Sequence, residues 1–388
     1  MILYSENKGE KMKRIGIVSY NIYGNFTNYG SALQSWAMAK AIQKATNFEV
    51  VPVLVDYCPE VLLDKDPLNP FKNMWDQSEE AQRMCALTMP AIKVNYDKFM
   101  SFFDKNFEKT KKKYTSENFN DIIKNEELDG FICGSDTIFS YEEFKFDDGY
   151  FAEYDVMKKN SVAFAASFGD CHFNEEVQQK LNDKLQNFNA IYLRESQMVD
   201  YVKSKVNIPV GRVIDPTLLL EPEEYDIITS DEKKEEKYLL LYSRRYNPEM
   251  EKYAIELAKK NNWKIVEISL RATNAEKGHE MRYDAGVEEF LALVKNAEFV
   301  VTNSYHGMIF SVQFKKEFVV FSRELCDNKI YELLDLLNLN DRILVTGEEK
   351  FLSLNYDDVH KRLLFLRKEF LVVLNTSLKF VTPEESLC

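Results

Sequence analysis

The stretch EFVVTNSYHGMIFSVQF, residues Glu298 to Phe314, decides how the rest of the chain is read. Phe299 to Thr302 is apolar and β-branched enough for a strand buried on both faces, and Met308, Ile309, Val312 and Phe314 follow at helical spacing. Between them, Asn303-Ser304-Tyr305-His306-Gly307 must turn a parallel strand directly into a helix. Such a turn at the carboxyl edge of an open sheet leaves backbone N–H groups and a partial positive charge facing a crevice, which suits phosphate or carboxylate. Gly307 permits close approach, Ser304 and Asn303 add polar contacts, and His306 brings an imidazole that changes protonation near neutral pH. The stretch reads as a place where an anion and a proton are handled together.

The same unit recurs along the chain. Ile15, Ile17 and Val18 predict a first strand, Asn21 to Gly30 a loop, and Ser31 a cap for a helix with Leu33, Trp36, Ala37 and Ile42 on its apolar face. Val50 to Tyr57 is a second strand. Prolines at 59, 67, 70 and 90 punctuate the next stretch and predict separate helices around Glu79–Ala86 and Tyr96–Phe107. Asp64-Lys65-Asp66 spells the acidic pair of metal-dependent sugar-nucleotide transferases, but in a proline-rich loop it reads as a solvated turn.

LDGFICGSD brings Ser135 and Asp136 to a carboxyl edge, Asn160 to Gly169 is another buried strand, and IYLRE ends in Arg194-Glu195, a structural ion pair. His172, beside Asp170, reads as an ordinary loop histidine. GRVIDPTLLL reads as the closing strand and turn. The charged run from Leu220 to Lys237 marks a domain boundary, after which Tyr238–Tyr242 restarts the pattern and sets Arg244 and Arg245 at its carboxyl end, suited to bidentate contacts with phosphate or carboxylate. Trp263–Leu270, a helix over Val287–Lys295 and the strand KEFVVFS complete this half, with Arg323 and Asn328-Lys329 near its edge. The divisions expected are a loose leader over 1–11, one Rossmann-like domain over 12–225, a second over 226–347 and a helical segment over 348–388. That segment spaces its apolar residues for a helix packed on the body, with a membrane-surface helix as the alternative.

Composition narrows the classes. A chain of 388 residues, 45% hydrophobic, can bury a sizeable core and predicts two domains. A formal net charge of -13 argues against nucleic acid as a partner, and the basic run Lys109 to Lys113 reads as a solvated loop. Cys58, Cys85, Cys133, Cys171, Cys326 and Cys388 form no CxxC pair and read as reduced thiols of a cytoplasmic protein. No segment reaches the ~18 apolar residues of a membrane span, and no signal peptide is evident.

Four segments together resemble the polysaccharide pyruvyl transferase family: NYGSALQSWAMAKAIQ (Asn28–Gln43), FICGSDTIF (Phe131–Phe139), YLRES with IDPTLLL (Tyr192–Ser196, Ile214–Leu220), and the Ser-aromatic-His-Gly of Ser304–Gly307. The resemblance runs from about Arg14 to about Arg342. It implies two Rossmann-like domains facing a cleft in a glycosyltransferase-B-like α/β fold, with a C-terminal helix packing back on the first domain. It also implies transfer of an enolpyruvyl unit from phosphoenolpyruvate onto a sugar diol of a cell-surface glycan precursor, giving a cyclic ketal and phosphate. On this reading His306 is the acid-base group. Arg244, Arg245, Asn303, Ser304, Gly307 and Arg323 hold the donor, and Asn28, Tyr29, Gly30, Gln34, Ser135 and Asp136 face the acceptor. Neither metal nor cofactor is called for beyond phosphoenolpyruvate as co-substrate. The partner is a hexose-containing glycan, with lipid linkage and contact with the inner membrane face left open.

One departure bears on the sugar accepted, since the family often has Gln and Trp after Gly-Ser-Asp and this chain has Thr137-Ile138-Phe139. Two rivals stand beside this reading. A nucleotide-sugar glycosyltransferase would want an acid on the ribose, with Glu267 or Glu324 better placed than Glu289. A non-catalytic glycan-binding relative would have no use for His306.

Overall fold

Short runs of Val, Ile, Leu and Phe bounded by polar turns form two six-stranded sheets. The computed structural model describes residues 12–20, 27–69, 78–171, 173–323, 327–345 and 353–382. The 1–11 leader, Asn21–Phe26 of the first loop, His172, Glu324, Cys326 and Cys388 lie outside them. The first sheet holds β1 (Lys13–Val18), β2 (Val50–Leu54), β3 (Gly130–Cys133), β4 (Ser161–Ala166), β5 (Ala190–Leu193) and β6 (Val210–Arg212), in the order β2-β1-β3-β4-β5-β6. The second holds β7 (Tyr238–Tyr242), β8 (Lys264–Ile268), β9 (Glu280–Met281), β10 (Phe299–Thr302), β11 (Glu317–Phe321) and β12 (Ile343–Leu344), in the order β12-β11-β10-β7-β8-β9. All pairings are parallel, so helices cover both faces and the strands read as unbroken apolar runs.

Around the first sheet run α1 (Tyr29–Ala45), α2 (Glu79–Asn106), α3 (Ile122–Glu126), α4 (Tyr141–Phe144), α5 (Glu175–Leu185) and α6 (Val199–Lys205). Around the second run α7 (Pro248–Asn261), α8 (Val287–Asn296), α9 (Tyr305–Gln313) and α10 (Asp327–Leu337), and α11 (Tyr356–Leu378) follows. In both sheets the order reverses beside the first strand, between β1 and β3 and between β7 and β10. Register pairs Val18 with Cys133 and Tyr242 with Thr302, so the turns that leave these strands emerge level at each crevice.

Two local expectations are corrected. The helices predicted on either side of Pro90 form one helix, α2, with Pro90 inside it. Met84, Cys85, Thr88, Ile92, Asn95, Phe99, Phe102 and Phe103 all lie on its buried side, and that continuous packing outweighs the ~3 kcal/mol a mid-helix proline costs. Of GRVIDPTLLL only Gly211 and Arg212 belong to a strand, the end of β6, after which Asp215 caps a 3-10 turn over Pro216–Leu218.

The two lobes touch over a broad seam. Tyr29 stacks on Phe290 with ring centroids 4.5 Å apart and donates through its hydroxyl to the Ala285 carbonyl at 2.7 Å. Asn95 donates to the same carbonyl, and Thr88 to that of Leu270. Helix α11 ties the lobes a second time. It starts on the second, where His360 Nε2 lies 3.1 Å from the Val312 carbonyl, and ends on the first, where Asn189 donates to the Phe380 carbonyl at 2.8 Å. Midway, buried Arg367 donates to the Leu218 carbonyl, to Gln313 Oε1 and to Glu221. Arg367→Ala leaves these acceptors without a partner and should lower stability by about 3 kcal/mol, read as a fall in the urea midpoint, while exposed Lys368→Ala should leave it unchanged.

Candidate active site

Because β7 and β10 are neighbours, the turns that follow them lie side by side. Asn303 accepts from the backbone N–H of Arg244 through Oδ1 at 2.9 Å and donates through Nδ2 to the Arg245 carbonyl at 2.7 Å. Its amide therefore clamps the arginine turn. Ser304 caps α9, its hydroxyl accepting from Gly307 N–H at 3.2 Å. A side chain at Gly307 would sit 2.6 Å from Thr302 Oγ and 2.9 Å from the Tyr242 ring, so only glycine fits there. The half-buried Arg244 guanidinium has tyrosines (Tyr242, Tyr283, Tyr20, Tyr29) as its titratable neighbours and meets no carboxylate within ion-pair distance among the described residues.

His306 lies at the second position of α9 and reaches across to the first lobe. A Cβ on Gly30 would stand 2.0 Å from its Nδ1, so the imidazole rests directly on the backbone at the start of α1. The amino ends of α1 and α9 thus converge on one ring, each bringing partial positive charge. On its other side His306 Nε2 is 3.4 Å from Asp215 Oδ2, which also accepts from Arg194 at 2.7 Å. Burial pushes the Asp215 carboxyl up, but the charges of His306 and Arg194 more than reverse this and hold it well below the usual carboxylate range. Asp136 is similar: burial raises it, and Arg194, His306 and the Ser31 hydroxyl bring it net downward.

Several buried polar atoms in this region have no hydrogen-bond partner among the described residues: Arg194 Nε and Nη2, Glu195 Oε2, His306 Nε2 and Arg323 Nε. Leaving such groups unmatched costs roughly 1–3 kcal/mol each, more when charged. Lys329, from α10, sets its ammonium 5.6 Å from the centre of the Tyr305 ring, and Arg194 lies 4.9 Å from the same ring. Unmatched donors from both lobes, most of them cationic, converge where the carboxyl edges of the two sheets face each other.

The sequence profile of the polysaccharide pyruvyl transferase family matches residues 28–324, which takes in every group named above except Tyr20 and Lys329. The chain belongs to that family. No curated protein matches it. Among solved structures, it resembles Staphylococcus aureus MnaA, solved with UDP, at a TM-score of 0.50 and 15% identity over 94% of this chain and 91% of that one. A putative UDP-N-acetylglucosamine 2-epimerase from Listeria monocytogenes follows at 0.49 and 12%, covering 95% and 91%. At such identities only the glycosyltransferase-B-like fold is shared.

Within this pyruvyl transferase fold the expected site residues separate into two groups. His306, Gly30, Asp136, Ser304, Gly307 and Arg323 come together at the crevice, and Asn28 caps α1 there, accepting from Gly30 and Ser31 N–H. Gln34 and Ser135, expected at the acceptor, are fully buried behind the Asp136 turn. Gln34 accepts from Ser135 N–H and donates to Ser19 and Ser35, and the Ser135 hydroxyl donates to the Ala165 carbonyl. Tyr29 is a lobe anchor and Asn303 a clamp, both with polar atoms committed to backbone. Arg244 and Arg245 lie on the Tyr29 side of His306, whereas Arg194, read from sequence as a structural ion pair, joins the crevice with Asp215, Glu143 and Lys329. Asp215 gave only an Asp-Pro turn signal, and its pairing to His306 is a tertiary fact. Glu267, the rival's ribose candidate, is buried against His279 at 2.6 Å, Asn274 and Ser269.

Gly30→Ala should therefore displace His306, costing about 1–3 kcal/mol in chemical denaturation and shifting the imidazole NMR resonances. For Asp215 the folded pKa lies below the unfolded one, so its contribution is present above the unfolded value of about 4 and is lost as pH falls through the folded one. Asp215→Asn should cost about 3 kcal/mol near pH 7, and its stability gap to the parent should narrow below about pH 4 in urea titrations.

Proposed function

We propose that this pyruvyl transferase takes its enolpyruvyl unit from phosphoenolpyruvate and closes it over two hydroxyls of a hexose-containing glycan, as a cyclic carboxyethylidene ketal with release of phosphate. The observation that carries this reading is the set of unmatched cationic donors around His306, with Lys329 and half-buried Arg244 close by. A small donor with a phosphate and a carboxylate supplies the acceptors that Arg194, Arg323 and Lys329 lack, by charge-assisted bonds aimed at both anionic ends. The α9 amino end adds to that field.

The chemistry needs a proton delivered to the enol methylene, stabilisation of cationic character at the adjacent carbon, removal of two hydroxyl protons and departure of phosphate. His306 supplies the first proton, and Asp215 orients its ring and balances the imidazolium. Of the two hydroxyl protons, one in net terms ends on the methyl group and the other on phosphate. The scheme calls for no divalent ion, because cationic side chains and helix ends already offset the phosphate charge. We place the enzyme in the cytoplasm, acting on a glycan precursor before export. Among the described residues no helix is long and apolar enough to cross a membrane.

A thermal-shift series tests the donor. Phosphoenolpyruvate should raise the melting temperature and UDP-sugars should not; the opposite result would favour a nucleotide-sugar enzyme. His306→Ala should keep the fold, at a melting temperature lowered by the lost Asp215 partner, and lose ketal formation by about 10²- to 10⁴-fold, followed by the mass that a carboxyethylidene group adds to a hexose-terminated glycan. Near-normal turnover by that variant would remove His306 from the mechanism.

A further inference from the structure

Two carboxylates flank one threonine hydroxyl at the end of β3. Thr137 Oγ lies 3.5 Å from Asp136 Oδ1 and 3.3 Å from Glu143 Oε2, and Glu143 is carried there by α4, which opens on a Ser140 cap. The two acids differ in what remains open to a ligand. Asp136 is buried, with Oδ2 accepting from the Ser31 hydroxyl and Oδ1 from the Thr137 backbone N–H at 2.8 Å. Glu143 is half-buried, Oε1 accepts no hydrogen bond among the described residues, and no cation approaches its carboxylate within ion-pair distance among them. One carboxylate is locked in place and the other is left able to accept a proton.

We propose that Glu143 is the general base that takes the proton from the attacking acceptor hydroxyl, with Asp136 as a fixed charge orienting the sugar beside it. This rests on the pyruvyl transfer described above and names the residue that completes it on the acceptor side. The environments separate the two roles. Burial lifts the Glu143 carboxyl, Lys329 draws it back, and the negative Asp136 lifts it again, for a net upward shift, whereas Asp136 itself is shifted down. A carboxylate with raised proton affinity is the stronger base, and a pair pushed in opposite directions divides into a proton carrier and a permanent anion.

The cycle balances. His306 protonates the methylene carbon, and the first hydroxyl oxygen bonds to the adjacent carbon while its proton passes to Glu143. The bond from that carbon to the phosphate oxygen then breaks, and Glu143 returns its proton to the departing phosphate. The second hydroxyl oxygen bonds to the same carbon, and its proton restores His306. Both groups end as they began.

The test compares the wild type with Glu143→Gln, Glu143→Asp and Glu143→Ala, using phosphoenolpyruvate and a glycan on which the wild type forms the ketal. Glu143→Gln should lose about 10²-fold or more in kcat while binding phosphoenolpyruvate within about twofold of wild type by calorimetry. The acidic limb of its kcat/KM profile should vanish. Glu143→Asp should keep that limb at a reduced rate, and added formate should restore part of the Glu143→Ala rate, results that a merely structural role would not produce. Glu143→Gln turnover within about threefold of wild type, or a limb that persists, overturns the assignment alone. A wild type that neither binds phosphoenolpyruvate nor makes ketal overturns the proposed function, and this assignment with it.

Discussion

The rest of the structure depends on a contact with almost no room in it, the imidazole of His306 lying on the backbone of Gly30. It requires a residue without a side chain at the start of α1 and two helices aimed at one another. It also requires lobes that approach closely enough for a ring on one to rest on the main chain of the other. Stacking of Tyr29 on Phe290 and the bonds to the Ala285 carbonyl hold that approach from one flank, and the Arg194 guanidinium over the Tyr305 ring with Glu332 accepting from Ser196 N–H holds it from the other. The crevice is thus a property of the seam, and neither sheet carries it alone.

Much of the scaffold was legible in the sequence because parallel strands buried on both faces leave an unmistakable apolar run, and because a serine or asparagine before a helix has one strong local use. That use was assigned one turn too late in the first helix, where Asn28 caps α1 and Ser31, read as the cap, lies buried inside it. Pro90 misled because the penalty it carries is local while the packing that overrides it runs along the whole of α2. The polar residues of the turns that leave the strands were harder to place. Gln34, Ser135 and Asn303 have side chains that suit a ligand or a backbone equally well, and only the fold shows that backbone and neighbouring hydroxyls claimed them. Glu143 drew no reading from the sequence, and Asp215 none beyond its place in the IDPTLLL segment, since their pairings come from neighbours distant in sequence.

Electrostatically, a chain with net charge -13 interleaves opposite charges at its crevice. Arg194, Arg323, Lys329 and two helix ends stand there among the carboxylates of Asp136, Asp215, Glu143 and Glu195.

Helix α11 begins on the second lobe, passes Arg367 over the junction and ends against the first. During synthesis the two sheets emerge before this strap does, held at first by the seam alone, including the bonds from Gln313 to the Thr217 and Leu220 carbonyls. The strap is therefore the last of the lobe-to-lobe contacts to form, and it adds its bonds to a seam whose residues have all been made already.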